Sequence, residues 1–230
     1  MKKIVAIVGS PKSAEQSVTV NIINSFLDLL IKKNKNIQSE IIVLSQKNIL
    51  PCKGCMMCTQ NGKCLLNDDF LSIKKEMKDA DLLFFGSPVH FNHVSSLFQN
   101  FVERSLIDLH TFEHIGKPFI SFVTTNGSGE KEVDKYLTKI GLLFGAIKIG
   151  SVIKIDNEKF NVDNLNKLAQ KVNMILTEEK KVKPKLMNIM YFSSMKSIIK
   201  NNEKYFRYEA KVWEKRNWLN KSYKAIITRE

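Results

Sequence analysis

The sequence predicts an α/β fold: a doubly wound, five-stranded parallel sheet covered by helices on both faces, followed by a helical, basic C-terminal extension. Three observations lead there. Short β-branched and aromatic runs recur along the chain, and each is followed by a stretch with apolar residues at helical spacing. The runs are close to continuously apolar rather than alternating, as strands buried on both faces are. Five such strand–helix units fit within the first 176 residues, with no internal repeat and no low-complexity segment.

The elements follow in order. Residues 3–8 (KIVAIV) form the first strand. The opening MKKIVAIVGSP has the charge pattern of a signal peptide, but its apolar part is short and runs straight into Gly-Ser-Pro, so a strand accounts for it better. Residues 20–31 carry a helix, and residues 40–44 (EIIVL) a second strand that leads into a cysteine-rich segment. Asp68 and Asp69 open the helix FLSIKKEMKDA, with acids where the helix dipole favours them. Residues 81–85 (DLLFF) are the third strand, residues 95–109 a helix, and residues 117–124 (KPFISFVT) the fourth strand. A helix over residues 130–143, a strand over 147–155 and a helix over 162–176 complete the set. In open sheets of this kind ligands bind at the carboxyl ends of the strands.

No apolar run approaches the roughly 20 residues that cross a bilayer, so a cytoplasmic location is expected. There thiols stay reduced, and clustered cysteines bind metal or do redox work more often than they form structural disulfides. The net charge of +13 is unevenly spread. Residues 180–230 hold 14 Lys and Arg against 4 Asp and Glu, whereas residues 1–179 are nearly balanced, with 22 against 19. A boundary is therefore expected in the solvated run EEKKVKPK, dividing a domain of residues 1–179 from an extension of residues 180–230. Met, Ile, Tyr and Phe recur through the extension at roughly helical spacing with lysines between them. Such a basic amphipathic helix covers a neighbouring surface, lies on an anionic membrane or meets nucleic acid; no nucleic-acid motif accompanies it.

Three loops fall on successive strand ends. The first, GSPKSAEQSVT (residues 9–19), matches neither the dinucleotide fingerprint nor the P-loop. It is rich in hydroxyls instead: Ser10, Lys12, Ser17 and Thr19 are suited to a phosphate, and the N–H groups of the helix start add donors. A plain strand-to-helix turn with a Ser or Thr cap would use the same residues. The second, GSPVHFNHVSS (residues 86–96), suits one face of a flat ring, and the glycines of the third, TTNGSGE (residues 124–130), let backbone approach a ligand closely. Together the loops point to a shared planar, phosphorylated ligand.

All four cysteines lie in PCKGCMMCTQNGKC, as Cys52, Cys55, Cys58 and Cys64. The C-x2-C-x2-C steps let one loop wrap three thiolates around one face of a cubane, and the Asn61-Gly62 turn brings Cys64 round as the fourth. Zinc sites favour two C-x2-C pairs separated by a longer span. A disulfide formed in air, or thiols that pack as small apolar groups without metal, are the remaining readings. His93, His110 and His114 show no ligand spacing with other donors and are read as structural. No Ser/His/Asp arrangement argues for a nucleophile, so no catalytic side chain is assigned.

Taken together, GSPKSAEQSVT, GSPVHFNHVSSLFQNFVER and TTNGSGEKEV resemble the flavodoxin-like NADPH-dependent FMN reductases. More narrowly, PCKGCMMCTQNGKC resembles the iron–sulfur flavoproteins of anaerobic prokaryotes, and the resemblance covers residues 1 to about 176. It implies a flavodoxin-like sheet of order 2-1-3-4-5, bound FMN, a homodimer or homotetramer, and NAD(P)H as electron donor. It also implies that Ser10, Lys12, Ser17, Val18 and Thr19 hold the FMN phosphate. Pro88, Val89, His90, Phe91 and Asn92 would then lie against the isoalloxazine, with Thr125, Asn126 and Gly127 on its other side. Ser17-Val18-Thr19 replaces the common Gly-Asn-Thr, and His90 stands where the family often has Tyr. The tail pattern Trp213-Glu214-Lys215 with Trp218 resembles that of related reductases and favours packing over membrane contact, with both tryptophans buried. The expected function is that of an FMN-dependent oxidoreductase passing electrons between FMN and a [4Fe–4S] cluster ligated by the four cysteines, with a ferredoxin-like protein as an electron partner. A cluster-free NAD(P)H-dependent FMN or quinone reductase is the first alternative. A non-enzymatic zinc-knuckle binding protein is the second.

Overall fold

The protein is described by a computed structural model covering residues 1–156 and 161–228. The chain runs β1 (Lys2–Val8), α1 (Val18–Lys33), β2 (Ile37–Val43), α2 (Met57–Asn61), α3 (Phe70–Asp79), β3 (Leu82–Pro88), α4 (Ser96–Arg104) and α5 (Leu106–His110). It continues through β4 (Pro118–Thr125), α6 (Glu130–Leu143), β5 (Ile147–Ile155), α7 (Val162–Leu176), α8 (Leu186–Asn201), α9 (Arg207–Lys215) and α10 (Tyr223–Thr228). The five strands form one parallel sheet in the order β2-β1-β3-β4-β5, as expected from the sequence.

Adjacent phenylalanines on β3 show how the sheet separates two cores. Successive strand side chains point to opposite faces, so Phe84 packs with Phe26 of α1 and with Phe122, while Phe85 packs with Phe98, Phe119 and Phe144. All five of these partners and Phe84 and Phe85 themselves are buried. Burying such rings contributes about 1.5–3 kcal/mol each. Gly9, where β1 ends, sits so close to α4 that a Cβ there would come within 2.6 Å of Phe98 Cβ and Ser95 Oγ; only glycine lets the strand end lie against that helix.

Two expectations need correction. The helix expected over residues 95–109 is broken at Ser105 into α4 and α5. The Ser105 hydroxyl donates to the Phe101 carbonyl at 2.7 Å, and its N–H is shared between the carbonyls of Phe101 and Val102; such back-bonding bends helices. The single amphipathic helix expected in the tail is three helices, interrupted at Asn202 and at Asn217, whose φ of 53° is left-handed.

The tail helices build a third core. Phe192, Ile199, Ala210, Trp213, Trp218 and Tyr223 cluster with Phe112 and Ile147 of the preceding chain. The Phe192 and Trp213 rings stack at 4.8 Å between centroids, and Trp213 Nε1 donates to the His110 carbonyl at 3.0 Å. Trp213 and Trp218 are both buried, as the packing reading requires. The Tyr223 hydroxyl donates to the Gly145 carbonyl at 2.6 Å from a fully buried ring, and burial pushes the phenol well above its usual pKa. Y223F is expected to cost about 1–2 kcal/mol, because a buried carbonyl loses a donor; the midpoint of a urea melt reads this.

Candidate functional site

The loops after β1, β3 and β4 meet at the carboxyl edge of the sheet around a cavity of about 260 Å³. Ser10, Lys12, Ser17, Val18 and Thr19 line it from the first loop; Pro88, Val89 and His90 from the second; Thr125 and Asn126 from the third. Ser17 caps α1, its side chain accepting from the Val20 N–H at 3.2 Å. The first turn of α1 has no acidic residue, and its leading N–H groups lack intrahelical acceptors. That end of a sixteen-residue helix favours an anion. The Thr19 and Thr124 hydroxyls hydrogen-bond at 2.7 Å, tying the first loop to β4. Lys12 is positioned through its backbone: its N–H donates to Ser10 Oγ at 3.2 Å and its carbonyl accepts from Ser45 Oγ at 3.1 Å.

Three of the residues expected at this site stand outside the cavity. Phe91 and Asn92 occupy the tip of a tight hairpin closed by two backbone hydrogen bonds between His90 and His93. Their φ values of 49° and 60° are both left-handed, and this turn points Phe91 into solvent at 105% exposure. Asn92 leans instead toward Gly129 at the start of α6. Gly127 shapes the third loop from behind, donating its N–H to Thr125 Oγ1 at 3.1 Å. Four lining residues were missed: Pro11, Thr124, Lys154 and Asp156. The last two lie at the carboxyl end of β5, where the strand-end rule that flagged the other loops also applies.

The donor set suits a phosphorylated, planar ligand. Hydroxyls, a helix start and Lys12 line the cavity together with the apolar Pro88 and Val89; the Lys154 ammonium, also in the lining, donates to the carbonyls of Ile155 and Asp156 at 2.7 and 2.9 Å. Among the described residues, Asp156 is the one acid lining the cavity.

The cysteines form a second site. Cys52, Cys55, Cys58 and Cys64 all line one cavity of about 480 Å³, walled by apolar residues that include Leu65, Leu66, Phe70, Leu106 and Ile107. The thiols are unpaired, Cys52 and Cys55 exposed and Cys58 and Cys64 half-buried. Burial, and then the charge of Glu209, push the Cys58 thiol up. Among the described residues no three Cys, His, Asp or Glu side chains converge on one ion position, so ligation of a single centre needs the thiols to turn inward across the cavity. Gly62 makes their sharing of a cavity feasible: at φ 77° it ends α2 and reverses the chain toward Cys64.

Arg104 closes the base of this loop, a residue that sequence reasoning missed. Its Nη1 donates to the Leu50 carbonyl at 2.7 Å and to Asp68 Oδ2 at 2.5 Å. Its Nη2 donates to Asp68 Oδ1 at 3.1 Å and reaches Cys64 Sγ at 3.5 Å. One guanidinium thus holds both ends of the cysteine segment. Burial raises the Asp68 carboxyl, but Arg104 and the N–H groups of Leu50 and Phe70 outweigh it, and the net effect holds Asp68 below the usual carboxylate range. Four thiols in an apolar wall, with Lys53 and Lys63 in the lining beside Arg104 and Lys74, which are paired with Asp68 and Asp108, fit an anionic thiolate-ligated cluster. None of the histidines lines the cysteine cavity: His114 is buried against Phe144, His110 pairs with Glu209 at 3.1 Å, and His93 packs on Tyr136.

A parallel 2-1-3-4-5 sheet with an anion-suited cavity at its carboxyl edge defines the flavodoxin-like class of protein. A sequence profile of the NADPH-dependent FMN reductases matches residues 2–159. The chain belongs to that family of FMN-binding oxidoreductases. It is similar to the iron–sulfur flavoprotein MJ1083 of Methanocaldococcus jannaschii, 37% identical over 103 residues, 45% of this chain and about half (51%) of that protein. It is also similar to an iron–sulfur flavoprotein of Archaeoglobus fulgidus, 23% identical over 225 residues, 94% of this chain and 100% of the other. The fold is shared with an FMN-dependent NADH-azoreductase of Bacillus anthracis solved in complex with FMN, at a TM-score of 0.54 and 15% identity over 77% of this chain and 99% of that one. No helix among the described residues is long and apolar enough to cross a membrane.

Proposed function

We propose that this protein is an FMN-dependent oxidoreductase that moves electrons between FMN at the sheet edge and a [4Fe–4S] centre held by Cys52, Cys55, Cys58 and Cys64. The observation that carries the second half is that all four thiols line a single cavity. The names of the relatives support the same reading. When bound, FMN couples two-electron to one-electron transfer and the cluster carries one electron at a time.

In this reading Ser10, Lys12, Ser17, Val18 and Thr19 bind the phosphate of FMN. Pro88, Val89 and His90 offer one wall to its ring, and Thr125 and Asn126 face them. Thr124, through its bond to Thr19, keeps the phosphate loop in register with β4. NAD(P)H is the proposed donor on the strength of the family, a ferredoxin-like protein a proposed partner, and a homo-oligomer the proposed assembly.

Anaerobic purification tests the reading. Flavin absorption together with bound iron and sulfide supports it. Flavin without iron after anaerobic reconstitution leaves a cluster-free FMN reductase, and zinc without flavin overturns both. At the flavin site, K12A combined with S17A is expected to weaken FMN about 30–1000-fold, since each change removes a charged or capping contact worth about 1–2 kcal/mol. Quenching of FMN fluorescence measures this.

A further inference from the structure

We propose that α9 of the C-terminal extension is a working part of the cysteine site: Tyr208 backs the Gly62 turn and so keeps Cys58 and Cys64 facing their shared cavity. What that cavity binds rests on the reading above; the positioning of the thiols does not.

Only five residues separate Cys58 from Cys64, and the chain must reverse within them. Gly62 makes the reversal, its N–H donating to the Cys58 carbonyl at 2.9 Å. The Tyr208 ring occupies the space beside it, so that a Cβ on Gly62 would fall 2.2 Å from Tyr208 Cε2. A second tie runs from Gln60 Nε2 to the Tyr205 carbonyl at 3.2 Å. The loop therefore touches α9 and the turn before it directly.

The same helix is fixed to the wall behind the thiols. Glu209 is fully buried and its Oε1 lies 3.1 Å from His110 Nδ1 on α5. Trp213 Nε1 donates to the His110 carbonyl, and Arg216 to the Thr111 carbonyl at 3.0 Å and to Glu113 at 2.6 Å. Leu106 and Ile107 of α5 line the cysteine cavity. The helix α9 thus bridges the Gly62 turn and α5, two parts of the cysteine site. A helix that merely sealed the body core would have no reason to press an aromatic ring on a glycine turn between two cysteines.

The test compares wild type, Y208A and Y208F as full chains, reduced and kept anaerobic, by the rate at which their four thiols react with Ellman's reagent. In the wild type the half-buried Cys58 and Cys64 are expected to react about tenfold more slowly than exposed Cys52 and Cys55. Y208A is expected to lose that slow phase, while Y208F, which keeps the ring, retains it. FMN titration of the same samples reports the integrity of the sheet edge and is expected to stay unchanged. A slow phase that survives in Y208A with FMN binding intact overturns the proposal. If Y208A loses FMN binding as well, Q60A replaces it; a slow phase unaltered in Q60A is then the overturning result. Reconstitution with iron and sulfide separates the two readings. A wild type that takes up no iron defeats the cluster, while the thiol result still decides on α9. A wild type that takes up iron, matched by Y208F but not by Y208A, supports both.

Discussion

R104M is expected to destabilise the protein by about 3–5 kcal/mol, the cost of leaving a buried partner charge uncompensated. The Arg104 side chain is 1% exposed and that of Asp68 is fully buried. Without the guanidinium, Asp68 keeps only the N–H groups of Leu50 and Phe70, and Cys64 loses its donor. The double variant R104M/D68N removes the charge while preserving an acceptor for those N–H groups, and is expected to recover most of the loss. Urea melts measure both, and a single variant with an unshifted midpoint would count against the pair as the base of the loop. The same ion pair carries a pH signature. Because the carboxyl of Asp68 is held below its ordinary value of 3.8, the stability it contributes is complete above that value and is lost as pH falls through the folded one.

The second large effect belongs to His114 and sits in a different pH window. Burial, reinforced by the positive charge of Lys117, lowers its pKa from 6.5 to about 3. Its Nδ1 has no partner among the described residues, and its ring meets Phe144 edge-on at 5.2 Å. The native state refuses a proton that the unfolded chain accepts. Stability therefore falls on acidification below pH 6.5, by roughly 1.4 kcal/mol per pH unit. H114M removes that proton, and its stability should be flatter between pH 6.5 and about 5, where carboxylates begin to contribute. Equal slopes for the two proteins would contradict a neutral buried His114. Denaturant midpoints taken across this window give the comparison.

The sheet was legible because its strands are nearly uninterrupted apolar runs. Phe84 and Phe85 can only be buried together if both faces are covered, and that forces the layered architecture. The loops at the carboxyl edge were legible as a group for the same reason: topology puts them side by side whatever their individual residues. Phe91 and Asn92 were not legible, because their left-handed turn is set by backbone pairing between His90 and His93 rather than by any glycine. Nor was the break at Ser105, where one hydroxyl competes with the helix ladder. Arg104 escaped notice because its partners are local to another part of the chain. An arginine near the end of an amphipathic helix ordinarily reads as a solvated charge, and only tertiary structure brings Leu50, Cys64 and Asp68 to it. The burial of Trp213 and Trp218 followed from the tail's aromatic pattern, whereas the contact of Tyr208 with Gly62 depends on a fold no periodicity encodes.

The guanidinium at the base of the cysteine loop also sets an order of events during synthesis. Its partners lie 54 and 36 residues earlier in the chain. A growing polypeptide exposes all four cysteines before Arg104 has been made, and throughout that interval the segment is an open, thiol-rich ribbon. Contacts of this sequence separation form late, because loop-closure entropy must be met before they return any stability. The loop acquires its closed base only once α4 has docked on the sheet. Until then its thiols stand open to oxidants and metal ions without the buried base that Arg104 and Asp68 supply in the folded chain.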